Sequence, residues 1–239
     1  MNIAKVTTIL LIFPLLALLS CAARIDGTLF EGGNAELTLK TSLEPRTTAL
    51  IGSLQGFMGG GNSGVILDGP EIGRSMSLSP GIRAVNLHNS SPSALEGTLS
   101  ISNIGDFLAT GSSKTRFVNY AKGQAAENSS IVITLDRESA PLIISLLSPD
   151  VEDYLSALMA PAVLGDIISA QEYLDLVASI YGRQLSNEIA SARIKASIDF
   201  PRPIKSISGG TASGNRASFD IPLLDILVLE QPLRYEVSW

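Results

Sequence analysis

Cysteine, histidine, aromatic and charged residues are all scarce in this chain of 239 residues. Its single cysteine excludes an intramolecular disulfide. Because aromatic residues make up only 5% of the sequence, the core has to be built mainly from Leu, Ile, Val and Ala. Charged residues account for 17%, against roughly a quarter in typical globular domains. Hydrophobic residues reach 45%, which is enough for the core of one large domain or two small ones.

Acidic residues outnumber basic ones, and the net charge is −6. Lys5 is the one charged residue before Cys21, so the remainder of the chain is more acidic still. A chain with this balance lacks the cationic surface through which proteins bind nucleic acid by releasing counterions, so no nucleic-acid partner is expected. Its net charge also does not favour adhesion to anionic lipid, and membrane attachment would need another means.

The first 20 residues are typical of a signal peptide. Lys5 supplies a weakly positive start, and Val6 to Leu19 form an apolar run. That run falls within the roughly 7–15 residues of a signal-peptide core and below the roughly 20 that a membrane-spanning helix needs. The next residues, Leu18-Leu19-Ser20-Cys21, match the lipobox of bacterial lipoproteins, with a small residue directly before the cysteine.

The lipobox predicts what happens to Cys21. Its thiol would receive a diacylglycerol, and a signal peptidase would cut between Ser20 and Cys21. The alternatives are an ordinary secretory signal with a chance cysteine, or an N-terminal transmembrane anchor. Acyl chains contribute about 0.8 kcal/mol per buried CH₂, and two or more chains anchor a protein stably. The interpretation places the chain in the bacterial cell envelope, with inner and outer membrane left open.

The order of predicted elements in the mature chain is strands, then helices, then strands, which favours an α+β fold with a mostly antiparallel sheet. We expect one domain over residues 21–239, with a helical subdomain at about 138–190. Strands are predicted at 24–30, 35–43, 82–88, 95–101, 117–120, 131–135, 193–200, 217–221, 226–229 and 234–239. Helices are predicted at 45–55, 68–77, 104–109, 138–147, 150–159, 170–181 and 184–190. Turns at 31–34 and 89–92 are expected to join the strands on either side of them, the first as a hairpin. Asp68 and Asn103 are expected to cap their helices, and Gly182 to end the helix before it.

Residues able to carry out catalysis or bind metals are few, and none forms a known constellation. His88 is the only histidine, at the end of a predicted strand, and no Gly-x-Ser-x-Gly motif accompanies it. A zinc site would need carboxylates in place of further histidines or cysteines. Asp150, Glu152 and Asp153 lack the spacing of a calcium loop and are better explained as acids at a helix start. The sequence therefore predicts no catalytic residues, no metal and no cofactor.

Four further features have a structural and a functional interpretation. Gly59 to Gly64 lacks the Gly-Lys-Ser/Thr of a phosphate-binding loop, and Gly209 to Asn215 is likewise expected to be a loop. Asp225 lies within an apolar run, where it is either buried with a raised pKa or turned outward. Arg193 and Lys195 share one face of a strand, which would either contact an acidic group or be solvated.

Two predicted helices carry more apolar residues than one buried face requires. They contain Leu142, Ile143 and Ile144 in one case and Leu155 to Leu164 in the other. Such helices are either fully buried, or they line a cavity for an acyl chain, or they lie on the membrane surface. The sequence therefore leaves two functions open. The first is a non-enzymatic structural or partner-binding role in the envelope, and the second is the binding or transport of a lipid or another hydrophobic ligand.

Several stretches resemble a group of spirochaete envelope lipoproteins. They are Leu43-Glu44-Pro45-Arg46 with Ala49-Leu50-Ile51, Asp153 to Pro161, Phe219 to Asp225, and the final Glu236-Val237-Ser238-Trp239. The resemblance covers most of the mature chain. It implies an envelope location and no particular activity.

Replacing Cys21, the residue predicted to carry the lipid, tests the lipobox interpretation. Because Cys21→Ala removes the thiol that would accept the lipid, we expect the variant to move from the detergent phase to the aqueous phase in a partition assay. A metabolic acyl probe should label the wild type and not the variant. A variant that stays in the detergent phase would show that the lipid is not the anchor.

Overall fold

The structure is a computed structural model that describes residues 22–50, 68–78, 80–109, 118–123, 128–139 and 167–239. The fold is α+β, as expected, with a large and mostly antiparallel sheet and helices placed between strands. The predicted signal peptide at 1–20, Cys21, the glycine-rich stretch 59–64 and the predicted helix 150–159 lie outside the described residues. The single domain over 21–239 stays a prediction.

Seven strands form the larger sheet, in the order β3-β4-β2-β1-β7-β10-β9. These strands are β1 (Ala22–Leu29), β2 (Ala35–Ser42), β3 (Ile82–Ser91), β4 (Ala94–Ile101), β7 (Arg193–Asp199), β9 (Thr211–Ser213) and β10 (Arg216–Pro222). The smaller sheet has the order β5-β6-β11-β8. Its strands are β5 (Val118–Ala121), β6 (Ser130–Leu135), β8 (Ser206–Ser208) and β11 (Leu233–Ser238).

The larger sheet joins the two ends of the chain through its central strand, β1. On one side β1 pairs antiparallel with β2, in the register Ala22↔Ser42 to Leu29↔Ala35, as the predicted hairpin requires. On the other side it pairs with β7, in the register Ala22↔Arg193 to Thr28↔Asp199. This second pairing is parallel, whereas every other pairing of the described strands is antiparallel. The N-terminal and C-terminal strands therefore belong to one sheet.

Aromatic contacts connect the two sheets. Phe219 of β10 meets Tyr235 of β11 edge to face, with the ring centroids 5.8 Å apart. Phe200, which follows β7, lies 4.6 Å from Trp239, and Trp239 also stacks against Tyr120 of β5 at 6.5 Å. Trp239 is only 2% exposed. Five aromatic residues thus lie where the two sheets meet.

The labelled helices are α1 (Gly69–Met76), α2 (Ile104–Ala109), α3 (Ala170–Tyr181), α4 (Arg183–Ser191) and α5 (Leu223–Val228). Residues 45–50 form a further helical stretch, at the start of the helix predicted at 45–55. At three of these helices, a side chain caps the first turn. Asp68 accepts from the backbone N–H of Glu71 (2.9 Å), and Asn103 accepts from that of Gly105 (2.9 Å). Ser169 and Glu172 form a complete capping box on α3.

One hydrophobic core unites the helices with the inner face of the larger sheet. Inward side chains alternate with outward ones along each strand, as Leu39 does with Lys40. Strands β3 and β4 approach so closely at Gly97 that a Cβ atom there would lie 2.9 Å from the Cα of Leu87 and would collide with the carbonyl oxygen of Asn86. Glycine is therefore required at this position.

The structure corrects several predicted bounds. The predicted strand 226–229 is part of helix α5, because Ile226 to Leu229 are all buried and a short buried run lacks the alternation that distinguishes a strand. The predicted loop Gly209 to Asn215 contains β9, because turns at Gly209 (φ 75°) and Gly214 (φ 63°) leave three residues free to pair with β10. Strand β3 extends through Ser91 into the predicted turn.

Of the helix predicted at 138–147, residues 138–139 belong to a turn and the rest lies outside the described residues. The helix predicted at 170–181 is confirmed with the same bounds, and it ends at Gly182 as expected. The last of the predicted helices, at 184–190, is confirmed as α4, which is one residue longer at each end.

Thr41 of β2 points into the core and is 1% exposed, and its hydroxyl has no hydrogen-bond partner among the described residues. Burying an unpaired hydroxyl costs about 1–3 kcal/mol. We therefore expect Thr41→Val, which keeps the shape of the side chain, to raise the free energy of unfolding by about 1 kcal/mol in urea titrations followed by the fluorescence of Trp239.

Thr38→Val is the matched control, because Thr38 lies on the same strand and is exposed on the opposite face. It should leave the free energy of unfolding nearly unchanged. A loss of stability in Thr41→Val would show that the hydroxyl is hydrogen-bonded after all.

Candidate binding site on the polar sheet face

The outward face of the larger sheet is covered by polar and charged side chains, and we call it the polar face. It is formed by every second residue of each strand, so it is present on β1, β2, β4, β7 and β10 together. Its members in the five strands are Arg24, Asp26 and Thr28; Glu36, Thr38 and Lys40; Glu96, Thr98 and Ser100; Arg193, Lys195, Ser197 and Asp199; and Arg216, Ser218 and Asp220.

Three cations lie side by side on the polar face, and we call them the cationic row: Lys40, Arg24 and Lys195. Lys40 of β2 pairs directly with Arg24 of β1, and Arg24 pairs directly with Lys195 of β7. Neighbouring strands are about 4.8 Å apart, so the row spans about 10 Å. Like charges placed directly opposite each other destabilise a sheet, so this row opposes folding rather than supporting it.

Carboxylates on the same face balance part of the cationic row. The guanidinium of Arg24 donates to both carboxylate oxygens of Asp26, at 2.6 and 3.2 Å, and this pairing raises the pKa of Arg24. Lys40 lies 3.5 Å from Glu96. Lys195 lies directly opposite Asp220 of β10, although no ion pair within 4 Å joins Lys195 to a carboxylate of the described residues. At the far end of the face, the hydrogen bonds from Arg216 lower the pKa of Asp199.

A cleft of about 680 Å³ opens beside the cationic row, where the short strand β9 leaves part of β10 uncovered. It brings together two cations of the row, two carboxylates and three hydroxyl groups. Its lining residues are Arg24, Asp26, Lys195, Ala196, Ser197, Gly209, Gly210, Thr211, Ser218, Phe219 and Asp220. The charged and hydroxyl groups of this lining suit a polar ligand or partner.

His88 lies on the polar side of β3, which is an edge strand of the larger sheet. It is not at the end of the strand as predicted, because β3 continues to Ser91. Its Nε2 is 3.5 Å from a carboxylate oxygen of Glu96, and its side chain is 58% exposed. The nucleophile that a histidine base would need does not lie beside it among the described residues. His88 is therefore a member of the polar face, where it lies beside Glu96.

Asp225 is turned outward from helix α5, which agrees with one of the two interpretations of the sequence. Partial burial of its carboxyl group raises its pKa, and the nearby Arg193 opposes that rise. Arg193 lies 3.9 Å from Asp220 of β10. Arg193 therefore contacts an acidic group, while its neighbour Lys195 is exposed to solvent.

The described residues contain no group of three or more His, Cys, Asp and Glu side chains able to hold a metal ion. None of the described helices is both long and apolar enough to cross a membrane. The apolar stretches 142–144 and 155–164, and the acids Asp150, Glu152 and Asp153, lie outside the described residues. The hypothesis that the chain carries a hydrophobic ligand depends on those stretches and stays a prediction.

The sequence analysis found only part of this site. It placed Arg193 and Lys195 on one face of a strand, but it did not single out Arg24 or Lys40. Strand alternation would have placed each of those two on an outward face. What the sequence did not contain was the pairing of β1 with β7, which brings Lys195 beside Arg24 although they are far apart in the chain.

The position of Ala22 relates this site to the predicted lipid anchor. Cys21 is bonded to Ala22, the first residue of β1, and Ala22 is paired with Ser42 on one side and with Arg193 on the other. The end of the larger sheet at Ala22, Ser42 and Arg193 is therefore the end nearest to Cys21. We call it the anchor end.

Comparison of the sequence with known protein families gives no match. Comparison with curated proteins gives no significant match either. Among solved structures, the chain is similar to the NMR structure of the folded domain of the Mycobacterium tuberculosis protein LppM, with a TM-score of 0.41 and 11% sequence identity. That match covers 91% of this chain and 87% of the other. A likeness this distant says nothing of what either protein does, and it gives no support to the resemblance to spirochaete proteins.

The cationic row makes a prediction about stability. Lys195 lies directly opposite Arg24 on one side and Asp220 on the other, and it forms no ion pair within 4 Å with that carboxylate. We therefore expect the repulsion to exceed the attraction, and Lys195→Gln to raise the free energy of unfolding by a few tenths of a kcal/mol, on the order of one cross-strand pair. The gain should shrink in high salt, which screens exposed charges. Urea titrations at low and high salt measure both effects.

Lys205→Gln serves as the control, since Lys205 hydrogen-bonds to Asn128 away from the row. This variant should show no gain. If Lys195→Gln instead lowered stability by more than about 1 kcal/mol, Lys195 would have a stabilising partner and would not be repelled by its neighbours.

Proposed function

We propose that this chain is a lipid-anchored protein of the bacterial cell envelope with a non-enzymatic, partner-binding role, and that the polar face of the larger sheet is its binding surface. Cys21 would carry the lipid after cleavage behind Ser20. The lipobox at Leu18 to Cys21 supports the anchor. The geometry of β1 supports the assignment of the surface.

The observation that carries the proposal is that the strand bonded to Cys21 is also the central strand of the larger sheet. Strand β1 is hydrogen-bonded along its whole length to β2 and along Ala22 to Thr28 to β7. No flexible tether separates Cys21 from the sheet, because Ala22 is already paired on both sides. A lipid on Cys21 would therefore hold the polar face at a short and nearly constant distance from the membrane.

The chemistry of the polar face supports binding rather than catalysis. Its charged groups are exposed or half-buried, and those that interact form ion pairs across or along strands, such as Arg24 with Asp26. Catalytic groups act best where water is excluded and their pKa values are tuned to their task. Solvated ion pairs, hydroxyl groups and an open polar cleft are instead suited to recognising a charged, hydrophilic partner.

Site-specific photocrosslinking in cells tests the proposal. A photoreactive residue in place of Thr98 or Thr38, both exposed on the polar face, should give one or more specific crosslinked species in the membrane fraction. The same residue in place of the exposed Glu138, which lies outside the larger sheet, is the control and should give none of these species.

Combining the Thr98 probe with Cys21→Ala should abolish the crosslinks, because the surface would no longer be held at the membrane. Intact-mass measurement of the wild type from membranes should show a chain that begins at Cys21 and carries the mass of the lipid. An unmodified Cys21 would overturn the anchor, and equal crosslinking from Glu138 and Thr98 would overturn the assignment of the surface.

A further inference from the structure

We infer that the polar face binds a glycan chain, which lies across the strands with one sugar ring in the cleft beside β10. The inference rests on the proposed function, because it takes the polar face as the binding surface and names the chemical class of the partner. The recognised groups are the hydroxyls of the sugar rings. Charged substituents, where the glycan has any, would lie over the ion pairs of the same face.

Small side chains with hydroxyl groups are aligned on the polar face, two residues further along each strand than the cationic row. We call them the hydroxyl row, and its members are Thr98, Thr38, Ser197, Ser218 and Thr211, with Asp26 between Thr38 and Ser197. Each member lies directly opposite the next on the neighbouring strand, from β4 through β2, β1, β7 and β10 to β9. Because neighbouring strands are about 4.8 Å apart, the row extends over about 24 Å. A row of this length suits a chain molecule that crosses the strands.

The side chains of the hydroxyl row have hydrogen-bonding capacity that the protein does not use. Within the described part of the chain, none of their hydroxyl groups forms a hydrogen bond. A hydroxyl group has one hydrogen to donate and two lone pairs that accept. Sugar rings carry the same group on most of their carbon atoms, so the row and a glycan match each other as donors and as acceptors. A phosphate, which mainly accepts, would leave the acceptors of the row unused.

The charges beside the hydroxyl row are balanced by pairing. Arg24 and Asp26 are joined at 2.6 Å, and Lys40 lies 3.5 Å from Glu96. Paired ions keep hydrogen-bonding capacity, since a guanidinium has five N–H groups and Arg24 donates to Asp26 only through Nε and Nη2. These groups can therefore donate to and accept from uncharged hydroxyls without attracting a ligand through an excess of charge.

The cleft adds a pair of charges that stays open. Lys195 lies opposite Asp220 without an ion pair within 4 Å, and Asp220 is 3.9 Å from Arg193, which is too far for a hydrogen bond. A sugar hydroxyl between Lys195 and Asp220 would accept from the ammonium group and donate to the carboxylate. The cleft volume of about 680 Å³ lies within the roughly 300–1,000 Å³ that is typical of ligand pockets. We therefore place the most tightly held ring of the glycan here.

A peptide added as a further strand is the alternative occupant of the cleft, and β10 leaves too little free edge for it. Hydrogen bonds at both ends of the β10–β7 ladder show that the odd-numbered residues of β10 bond to β7. The even-numbered residues therefore face β9, which covers this edge as far as Ser218. Beyond Ser218 lie Asp220 and Pro222, and a proline has no N–H to donate. The backbone of Asp220 alone would not hold an added strand.

Saturation-transfer NMR on the full chain, extracted from membranes into a zwitterionic detergent without sugar groups, tests the inference. The probes are three uncharged trisaccharides, maltotriose, mannotriose and chitotriose. We expect at least one to bind, with a Kd that changes less than about twofold between about 50 mM and 1 M NaCl, because hydrogen bonds to uncharged hydroxyls are not screened by salt. No binding of any trisaccharide at about 10 mM would overturn the inference, as would a tenfold loss of affinity in high salt.

Two matched serine variants locate the contact. Ser218→Ala removes a hydroxyl from the centre of the cleft and should weaken trisaccharide binding by about fivefold, the loss expected for one hydrogen bond. Ser100→Ala is the control, because Ser100 is half-buried on the same face like Ser218 but lies outside the hydroxyl row, opposite Glu36. It should leave the affinity unchanged. Equal effects of the two variants would overturn the placement of the glycan.

A carboxylate pair of variants tests the open charges in the same way. Asp220→Ala should weaken binding by about tenfold, because a hydrogen bond to a charged acceptor is stronger than one between neutral groups. Glu36→Ala removes an exposed carboxylate of the polar face outside the cleft and should have no effect. An unchanged affinity in Asp220→Ala would overturn the role of the cleft.

Free sugars are the other source of the same chemistry. Glucose, mannose and N-acetylglucosamine should bind at least about tenfold more weakly than their trisaccharides, because one ring contacts only part of the row. Equal affinities would show that the cleft holds a single sugar and would overturn the chain across the strands. Specific photocrosslinks from Thr98 in cells, without any saccharide binding, would overturn the glycan and leave the polar face as the binding surface. The absence of both would mean that the proposed surface itself has failed.

Discussion

The parallel pairing of β1 with β7 is the constraint on which the rest of the structure depends. It connects the strands before residue 102 with those after residue 192, and it makes the strand that follows Cys21 the centre of the larger sheet. Without this pairing the N-terminal strands β1 to β4 would form a sheet of their own, with β1 at its edge. The polar face of those strands would then have neither Lys195 nor Arg193, and the cleft beside β10 would lose Arg24 and Asp26, its lining residues from β1. The central position of β1 and the set of residues that form the candidate site therefore both result from this one pairing.

The same pairing brings charges of both signs together on one face of an acidic chain. Net charge describes the protein at long range, where individual charges are averaged and screened over roughly 10 Å or less. At short range the polar face has a mixed pattern. Lys40, Arg24 and Lys195 come from three different strands, and each has a carboxylate beside it, those of Glu96, Asp26 and Asp220 respectively. A partner that contacts this face therefore meets paired charges, which the net charge of the chain does not describe.

Local signals in the sequence predicted many of the elements. The hairpin of β1 and β2, the caps at Asp68 and Asn103, and helix α3 with its end at Gly182 all depend on neighbouring residues, and all are confirmed. The errors occur where the local signal is ambiguous. The end of helix α5 was predicted as a strand because Ile226 to Leu229 form a short, continuous buried run. Strand β9 was missed because its three small residues carry no hydrophobic pattern. The pairing partners of β1 and β7 were not predicted, since hydrogen-bonded neighbours distant in the chain leave no periodic trace in a single sequence.

The sequence by itself determined the α+β class, the outward and inward residues of most strands, and the lipobox at Cys21, because each of these is read from residues close together in the chain. The tertiary structure alone decided which outward residues share a level on the sheet. It brought Lys40, Arg24 and Lys195 into one row and placed that row about 10 Å from the residue predicted to carry the lipid. The physical reason is that register and strand order are set by packing across the whole sheet, where each strand has to present its apolar residues to the same core.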